Sequence, residues 1–325
     1  MRAARCTDYG PPDHLAVVEL DDPAPGPGEV LVRVHAAAVN YPDVLLVANR
    51  YQVPAPLPFT PGSEFAGVVA ALGAGVAGPA VGTPVAGAVL TGAFAEQVVV
   101  PVAGLRPVPE GLDMVHAAAF HVTYATAYHA LTTVGQGAAG EWATVLGAAG
   151  GVGSATVDVA TRLGLRVVAA ASGPERLAVA RELGAEAGVD YVREDLKTRV
   201  RELTGGDGAH LVVDPVGGDH AEAALRALRR GGRFVTVGYA DGRIPRIPLN
   251  LVLLKDAVVR GFEIRMLRQH APDTVAAGDR ALARMVRDGM RPLVSRVHPL
   301  ADVASALTDV AERRTTGKVV IDMRA

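Results

Sequence analysis

A glycine-rich turn near the middle of the chain constrains the fold more than any other feature of the sequence. Residues 145–154 read Val-Leu-Gly-Ala-Ala-Gly-Gly-Val-Gly-Ser, between an apolar run that begins at Trp142 and a helix-forming stretch. Gly150 lets the backbone approach a pyrophosphate, and Gly153 lets the helix pack closely on the strand. The N–H groups and positive dipole end of that helix favour phosphate. This context predicts a dinucleotide-binding unit, although Ala148 replaces the first glycine of the usual motif and simple packing is the alternative explanation.

Strand and helix signals alternate over residues 123–265, on both sides of the glycine turn. Apolar, β-branched runs predict strands at 142–147, 166–171, 189–192, 210–214, 233–238 and 258–264. Helices are expected directly after the turn, at 174–183 and at 221–228. The alternation is typical of a doubly wound parallel sheet with helices on both faces, so we expect an α/β fold of the Rossmann type.

The first 122 residues follow a different pattern. Short valine-rich runs, such as 31–35 and 97–100, are separated by segments rich in Pro and Gly. Such runs predict a compact β-rich domain. The tail, 266–325, resembles neither a new domain nor a repeat, and its expected elements are helices at 273–288 and 300–312 and a strand at 318–323. We therefore expect the tail to complete the β-rich domain.

Charge and cysteine content limit the class of protein. The 32 Lys and Arg and 34 Asp and Glu residues give a net charge of −2, whereas a nucleic-acid-binding protein would show a basic excess or stripe. The single cysteine, Cys6, rules out an intramolecular disulfide and fits a reducing compartment. The first twenty residues lack the apolar run of a signal peptide. Glycines interrupt the most apolar long stretch, 142–160, so we do not expect it to span a membrane. We expect a cytoplasmic protein.

The end of the second strand of the parallel sheet discriminates between the two nicotinamide cofactors. Enzymes that bind NAD usually place an Asp or Glu about twenty residues beyond the glycine turn, on the ribose 2′-hydroxyl. This chain has Ser172 and Gly173 there, with Arg176 following. A hydroxyl, a backbone N–H and a guanidinium are suited to a 2′-phosphate, so NADPH is predicted. The alternative for Arg176 is an ordinary solvated helix residue.

At this point the sequence resembles a known group, the zinc-free quinone oxidoreductases, which form the zeta-crystallin-like branch of the medium-chain dehydrogenase/reductase superfamily. The resemblance covers nearly the whole chain and rests on the glycine turn and on segments 39–43, 61–67, 123–131, 203–206, 213–217 and 317–321. It implies a GroES-like catalytic domain made of 1–122 and 266–325, interrupted by a Rossmann dinucleotide-binding domain at 123–265. It also implies a homodimer, often joined through the last Rossmann strand, here near 258–264.

The predicted cofactor-binding residues come from two sources. The residue pattern points to Ala149, Gly150, Gly151, Val152, Ser172, Gly173 and Arg176. The resemblance implies that Tyr191 and Arg313 lie on the side of the 2′-phosphate, although each could be an ordinary surface residue. It further implies that the backbone at Gly238 and Phe262 meets the nicotinamide ribose and amide.

The resemblance also implies three residues near the nicotinamide and the substrate, which we take as the predicted catalytic residues: Asn40, Tyr51 and Thr126. A simpler reading is open for the first of them. Asn and Asp commonly cap helices, so Asn40 and Asp43 could cap the helix that follows. Glu64 is expected to have a structural role.

No metal is expected. Zinc-dependent relatives carry a Cys at the position of Asn40, a His at the position of Ser63 and often a structural lobe with four cysteines, and this chain has none of these. A zinc site needs three or four ligands that converge on one point. His116 and His121 are the nearest approach to a ligand spacing among nine scattered histidines.

Without zinc there is no Lewis acid to polarise an alcohol or ketone, so the sequence favours hydride transfer to a conjugated acceptor. The predicted function is an NADPH:quinone reductase, with a small quinone or enone as the partner molecule. One alternative is an enoyl or 2-alkenal reductase, including enoyl thioesters. An alternative of another class is an NADPH-binding structural or RNA-associated protein without turnover, although the near-neutral charge argues against RNA.

Overall fold

The computed structural model describes residues 1–325. Its contacts divide the chain into a mixed-sheet unit, Met1–Val122 with Arg291–Ala325, and a parallel-sheet unit, Thr123–Met290. The first junction lies where the sequence placed it. The second lies at residue 290 rather than 265, because the two helices that follow the last parallel strand pack against helix 123–129 and so group with the parallel-sheet unit.

The mixed-sheet unit begins with seven strands and two short helices. The strands are β1 (Arg2–Arg5), β2 (Ala16–Glu19), β3 (Glu29–Val39), β4 (Glu64–Leu72), β5 (Pro84–Ala88), β6 (Gln97–Pro101) and β7 (Leu105–Pro107), and the helices are α1 (Tyr41–Val47) and α2 (Met114–Ala118). The long strand β3 pairs antiparallel with both β4 and β6. Alternate residues of β3, Val30, Val32 and Val34, are buried in the core of the unit, as the period of two in a strand requires.

The parallel-sheet unit alternates helices and strands. They are α3 (Thr123–His129), β8 (Trp142–Leu146), α4 (Gly151–Arg162), β9 (Arg166–Ala171), α5 (Pro174–Glu182), β10 (Ala187–Asp190), α6 (Leu196–Leu203), β11 (Ala209–Asp214), α7 (Gly218–Ala227), β12 (Leu228–Thr236), α8 (Leu249–Lys255), β13 (Val258–Gly261), α9 (Ile264–His270) and α10 (Pro272–Arg287). The strand order is β10-β9-β8-β11-β12-β13, and every pairing is parallel. The predicted Rossmann-type sheet is confirmed.

The direction of winding reverses between β8 and β11. From β8 the chain moves outward through β9 and β10, and from β11 it moves outward on the other side through β12 and β13. In such sheets, ligands bind at the carboxyl ends of the strands next to the reversal. The glycine turn follows β8 directly and therefore lies at this position.

The tail completes the mixed sheet. It forms β14 (Val294–Pro299), α11 (Val303–Ala311) and β15 (Lys318–Asp322). Strand β15 pairs antiparallel with β3 and parallel with β14, which gives a seven-stranded sheet of order β14-β15-β3-β4-β5-β7 with β6 also on β3. The GroES-like β-rich domain expected from the sequence is confirmed. None of the helices is long and apolar enough to cross a membrane.

Candidate functional site

In the turn between β8 and α4, the backbone at the start of the helix lies so close to the end of the strand that a side chain would not fit between them. A Cβ atom at Gly153 would lie 2.0 Å from the carbonyl oxygen of Gly147, and one at Gly150 would lie 3.3 Å from the same atom. Only glycine therefore fits at 153 without a backbone shift, while 150 is merely tight. The tight packing of helix on strand that the sequence predicted for Gly153 is the geometry observed.

Three backbone N–H groups at the start of α4 have no partner within the protein. The Gly150 N–H donates to the Gly147 oxygen, and the Ser154 N–H donates to the Gly150 oxygen, both at 2.8 Å. The N–H groups in between, at residues 151–153, belong to the first turn of a twelve-residue helix and have no acceptor in it. They form what we call the phosphate cradle, and the predicted cofactor-binding residues Ala149, Gly150, Gly151 and Val152 lie at this turn. Free donors and a positive helix end fit a pyrophosphate.

The residues predicted for the 2′-phosphate gather at the ends of β9 and β10. Gly173, with φ of +85°, is the N-cap of α5, and Ser172, Arg176 and Tyr191 around it are each partly exposed. The Tyr191 ring stacks on the ring of His220, with 4.2 Å between centroids.

The N–H group of Gly173 already has an acceptor that sequence reasoning missed. Asp190, the last residue of β10, accepts it at Oδ1 at 3.1 Å. Parallel pairing sets Asp190 opposite Ala171, so the contact depends on the register of two strands rather than on a local motif. The only signal in the sequence is an acidic residue within the predicted strand 189–192.

The other predicted cofactor residues of this unit lie at the carboxyl ends of β12 and β13. The Phe262 N–H donates to the Thr236 oxygen at 3.0 Å, and Gly238 follows β12 by two residues. On the neighbouring β11, Asp214 accepts the N–H groups of residues 216 and 217 at 2.8 Å each. Burial raises the pKa of Asp214 to about 6 against the effect of these two bonds. Asp214 Oδ2 and Thr236 Oγ1 are buried without a partner, so polar atoms with unused capacity lie along this edge.

In the mixed-sheet unit, a buried ion pair and a hydrogen bond connect residues at the ends of three strands. Lys318 begins β15, Glu64 begins β4 and Asn40 follows β3. Lys318 Nζ donates to Asn40 Oδ1 at 2.5 Å and pairs with Glu64 Oε2 at 3.3 Å. The three residues are between 0% and 6% exposed. We call these residues, with Asp43 and Ser63, the Lys318 network.

The rest of the Lys318 network surrounds Asn40. Its backbone N–H donates to Asp43 Oδ2 at 2.7 Å, and its Nδ2 lies 3.2 Å from Glu64 Oε2 and 3.4 Å from Ser63 Oγ. Burial raises the pKa of Asp43 to about 7, although its hydrogen bonds to Asn40 and Ser63 and the charge of Lys318 act in the other direction. Asn40 is the N-cap of α1 with Asp43 as its capping-box partner, which matches the simpler reading of the sequence. Its role toward a substrate stays a prediction.

These residues do not fit a zinc site. Asn40 and Ser63 offer an amide and a hydroxyl, and the Asn40 oxygen already accepts from an ammonium group. The same ammonium group is the ion-pair partner of the Glu64 carboxylate. No group of three or more His, Cys, Asp or Glu side chains is arranged to hold a metal ion, and His116 instead hydrogen bonds to Asp113 at 2.9 Å.

The remaining predicted residues are divided between the two units. Tyr51 is half-buried after α1 and packs against the core of the mixed-sheet unit. Thr126 lies on α3 in the parallel-sheet unit and is almost fully buried. Arg313 follows α11 in the mixed-sheet unit and is exposed, with φ of +56°.

Comparison with known proteins agrees with this architecture. Residues 26–110 match the alcohol dehydrogenase GroES-like domain, and residues 151–277 match the zinc-binding dehydrogenase domain. The chain is 37% identical to quinone oxidoreductase-like protein 2 of Bos taurus, over 99% of this chain and 93% of the relative. The chain belongs to the zinc-free quinone oxidoreductase branch of the medium-chain dehydrogenase/reductase superfamily. The resemblance expected from the sequence is confirmed.

Solved structures of this branch share the whole fold. The quinone oxidoreductase of Thermus thermophilus, solved alone and with NADPH, superposes with a TM-score of 0.87 at 36% identity, covering 99% of this chain and 100% of that one. The Escherichia coli quinone oxidoreductase, solved with NADPH, superposes with a TM-score of 0.92 at 25% identity, covering 99% of this chain and 100% of that one.

Proposed function

We propose that this member of the quinone oxidoreductase branch is an NADPH:quinone reductase that works without zinc. The observation that carries the proposal is the phosphate cradle, three unpartnered N–H groups at residues 151–153 beside the reversal point of a parallel sheet. The NADPH complexes of the T. thermophilus and E. coli relatives support it. So does the donor set of Asn40 and Ser63, which suits hydrogen bonding rather than zinc.

The parallel-sheet unit would hold the cofactor. The cradle binds the pyrophosphate, Ser172 and Arg176 bind the 2′-phosphate with Tyr191 beside them, and the backbone near Gly238 and Phe262 meets the nicotinamide end. Arg313 is proposed on the 2′-phosphate side from the family resemblance alone. When bound, NADPH supplies the hydride; the chain orients and shields it.

The acceptor gains negative charge on its oxygen, and a hydrogen-bond donor stabilises that charge. Asn40 is committed within the protein, since its oxygen accepts from Lys318 and its amide donates to Glu64 and Ser63. We propose, from the family resemblance, that Tyr51 lies in the acceptor pocket and donates to that oxygen, that Asn40 shapes its surroundings as the centre of the Lys318 network, and that Thr126 contacts the nicotinamide.

The choice of acceptor is tested by steady-state NADPH oxidation with quinones, 2-alkenals and enoyl-CoA esters, with NADH as the comparison cofactor. The proposal expects the highest kcat/KM with quinones and a preference for NADPH. Faster turnover of 2-alkenals or enoyl thioesters would reassign the chain to that chemistry. Tight NADPH binding without turnover of any acceptor would indicate a non-catalytic protein.

The proposed 2′-phosphate site is tested with Arg176→Ala. Losing a charged hydrogen-bond partner should raise the Kd for NADPH by about tenfold or more and leave that for NADH unchanged. Arg181→Ala, at the far end of the same helix, is the matched control and should bind both as wild type. An unchanged NADPH Kd in Arg176→Ala would contradict the assignment.

We also propose a homodimer joined through β13. This strand is the last in the sheet, so one of its edges is unpaired, and Val258 and Val259 on it are 43% and 42% exposed. Helix α8, which precedes β13 in the chain and packs on β12, exposes Leu249, Leu253 and Leu254 at 73% or more. An open strand edge with neighbouring exposed leucines is typical of a surface that pairs with another chain.

A further inference from the structure

Asp190 places a buried carboxylate at the end of the sheet where the ribose of a dinucleotide is expected. The residue is 8% exposed. Its Oδ1 accepts the N–H groups of Gly173 and Val192, each at 3.1 Å. Both donors belong to loops at the carboxyl ends of parallel strands, so one carboxylate ties the loop after β9 to the loop after β10.

The usual acidic residue of NAD-binding enzymes ends the second strand of the sheet and hydrogen bonds to the ribose 2′-hydroxyl. Here β9 ends in Ala171, and the acid arrives from the adjacent strand instead, opposite Ala171 in the parallel register. The end of β9 therefore carries no carboxylate of its own. The structure nevertheless has one, that of Asp190, within hydrogen-bond distance of Gly173.

We propose that Asp190 determines how strongly this site discriminates between NADPH and NADH. The inference rests on the proposed function, since it assumes that the 2′-phosphate lies at Ser172, Gly173 and Arg176. Asp190 acts in two ways. Its hydrogen bonds fix the loop that receives the ribose, which favours both cofactors, and its negative charge opposes a 2′-phosphate, which disfavours NADPH alone.

The charge of Asp190 is only weakly compensated. The nearest ion-pair partner is Arg193, whose Nε lies 3.7 Å from Oδ2 and whose side chain is 76% exposed. Solvent screens such a pair strongly. The second carboxylate nearby, Glu194, accepts the N–H of Asp190 at 2.8 Å and is itself paired with Arg199 at 2.8 Å, so it supplies no positive charge to Asp190. The 2′-phosphate would therefore be held by Ser172 and Arg176 against the negative charge of the Asp190 carboxylate.

The two effects are separated by Asp190→Asn and Asp190→Ala. The asparagine keeps an oxygen that can accept from Gly173 and removes the charge, so the Kd for NADPH should fall by roughly fivefold to tenfold while the Kd for NADH stays within about twofold. The alanine frees the loop, so the Kd for NADH should rise by about fivefold or more. Both constants are measured by nucleotide fluorescence, without any acceptor.

Glu186→Gln is the matched control. Glu186 is an exposed carboxylate that pairs with Arg166 at the opposite, amino-terminal end of the same strands. The ratio of the two dissociation constants should not change in this variant. Thermal unfolding of every variant checks that altered binding does not reflect loss of the fold.

The outcomes separate this inference from the proposed function. Equal changes of both dissociation constants in Asp190→Asn, or no change in either, would overturn the role of Asp190 while NADPH binding by the wild type stands. Binding of neither nucleotide by the wild type would overturn the proposed function, and this inference with it.

Discussion

Lys318 is an ammonium group that is 4% exposed in the interior of a small domain. Burying a charge is unfavourable unless hydrogen bonds and an opposite charge compensate. Glu64 and Asn40 provide that compensation at 3.3 Å and 2.5 Å. Removing the cation would leave the Glu64 carboxylate with fewer partners in the same dry environment. Removing one partner therefore lowers the unfolding free energy by more than the intact pair contributes to it.

We expect Lys318→Met to lower the unfolding free energy of the mixed-sheet unit by about 3–5 kcal/mol. Hydrogen exchange of the β3, β4 and β15 amides is the suitable measurement, because the single tryptophan, Trp142, lies in the other unit. Adding Glu64→Gln should recover part of the loss, since it removes the uncompensated charge. Lys197→Met, at an exposed site on α6, should change stability by less than about 0.5 kcal/mol. A similarly small effect at Lys318 would contradict this account.

Asp43 gives the stability a distinct pH dependence. Its pKa is about 7 in the folded chain against 3.8 as the ordinary value. Between these two pH values the folded state binds more protons than the unfolded state, so the unfolding free energy falls as pH rises toward 7. The Asp43→Asn variant has no carboxyl group at this position, so it does not take up this proton. Urea unfolding from about pH 5 to 8 should show the wild type losing up to about 1.4 kcal/mol per pH unit relative to the variant below about pH 7, and parallel curves would contradict it.

Some of these residue contacts could be predicted from the sequence and others could not. The glycine turn was predicted because its four glycines lie within seven residues of one another, directly after the strand. Asn40 and Asp43 as a helix cap were also predictable, since they are three residues apart. Lys318 and Asn40 are 278 residues apart, and no local pattern indicates that β15 brings them together. Asp190 and Gly173 meet only through the register of β10 on β9.

At the scale of elements, the turn before α4 fixes where the helix begins and so where its free N–H groups point. Gly153→Ala forces a Cβ to within 2.0 Å of the Gly147 oxygen. We expect the overpacking to lower stability by about 1–3 kcal/mol and to weaken NADPH binding severely. Gly150→Ala meets its nearest atom at 3.3 Å and should have a smaller effect on both.

Gly104→Ala in the mixed-sheet unit, where a Cβ meets nothing within 4 Å, is the control for a glycine that packing does not require. Nucleotide fluorescence and thermal unfolding measure the two effects. Wild-type NADPH affinity in Gly153→Ala would show that the turn can relax, and that the close approach is not needed for binding.

The elements that sequence analysis missed have weak patterns for physical reasons. Four of the eight residues of helix α6 are charged and it buries only Leu196 and Val200, so its apolar stripe is short and gives a weak signal. Strand β14 lies at the edge of its sheet and exposes Ser295, Arg296 and Val297 in succession, which hides the alternation of a strand. The central strands β8, β9 and β11 are buried on both faces and give continuous apolar runs, which is why they were predicted.

At the scale of the whole molecule, the proposed dimer is tested by Val259→Lys. A lysine on an open strand edge opposes pairing with a second copy, so sedimentation should shift from the mass of two chains to that of one. Val297→Lys is the matched control, since Val297 is a 52% exposed valine on β14, the edge strand of the other sheet. A wild type that sediments as a single chain would contradict the proposed interface.

The position of β15 in the chain has a consequence for biosynthesis. Domains tend to fold as they leave the ribosome, from the N-terminus onward. Here the mixed sheet has to wait, because the strand that joins β14 to β3 is made after all of residues 123–290. Glu64 meets its buried cation only when a residue 254 positions later has been translated. The unit that starts last is therefore the first able to finish, and the β3 edge that pairs with β15 stays unpaired in the nascent chain until residues 318–322 have been translated.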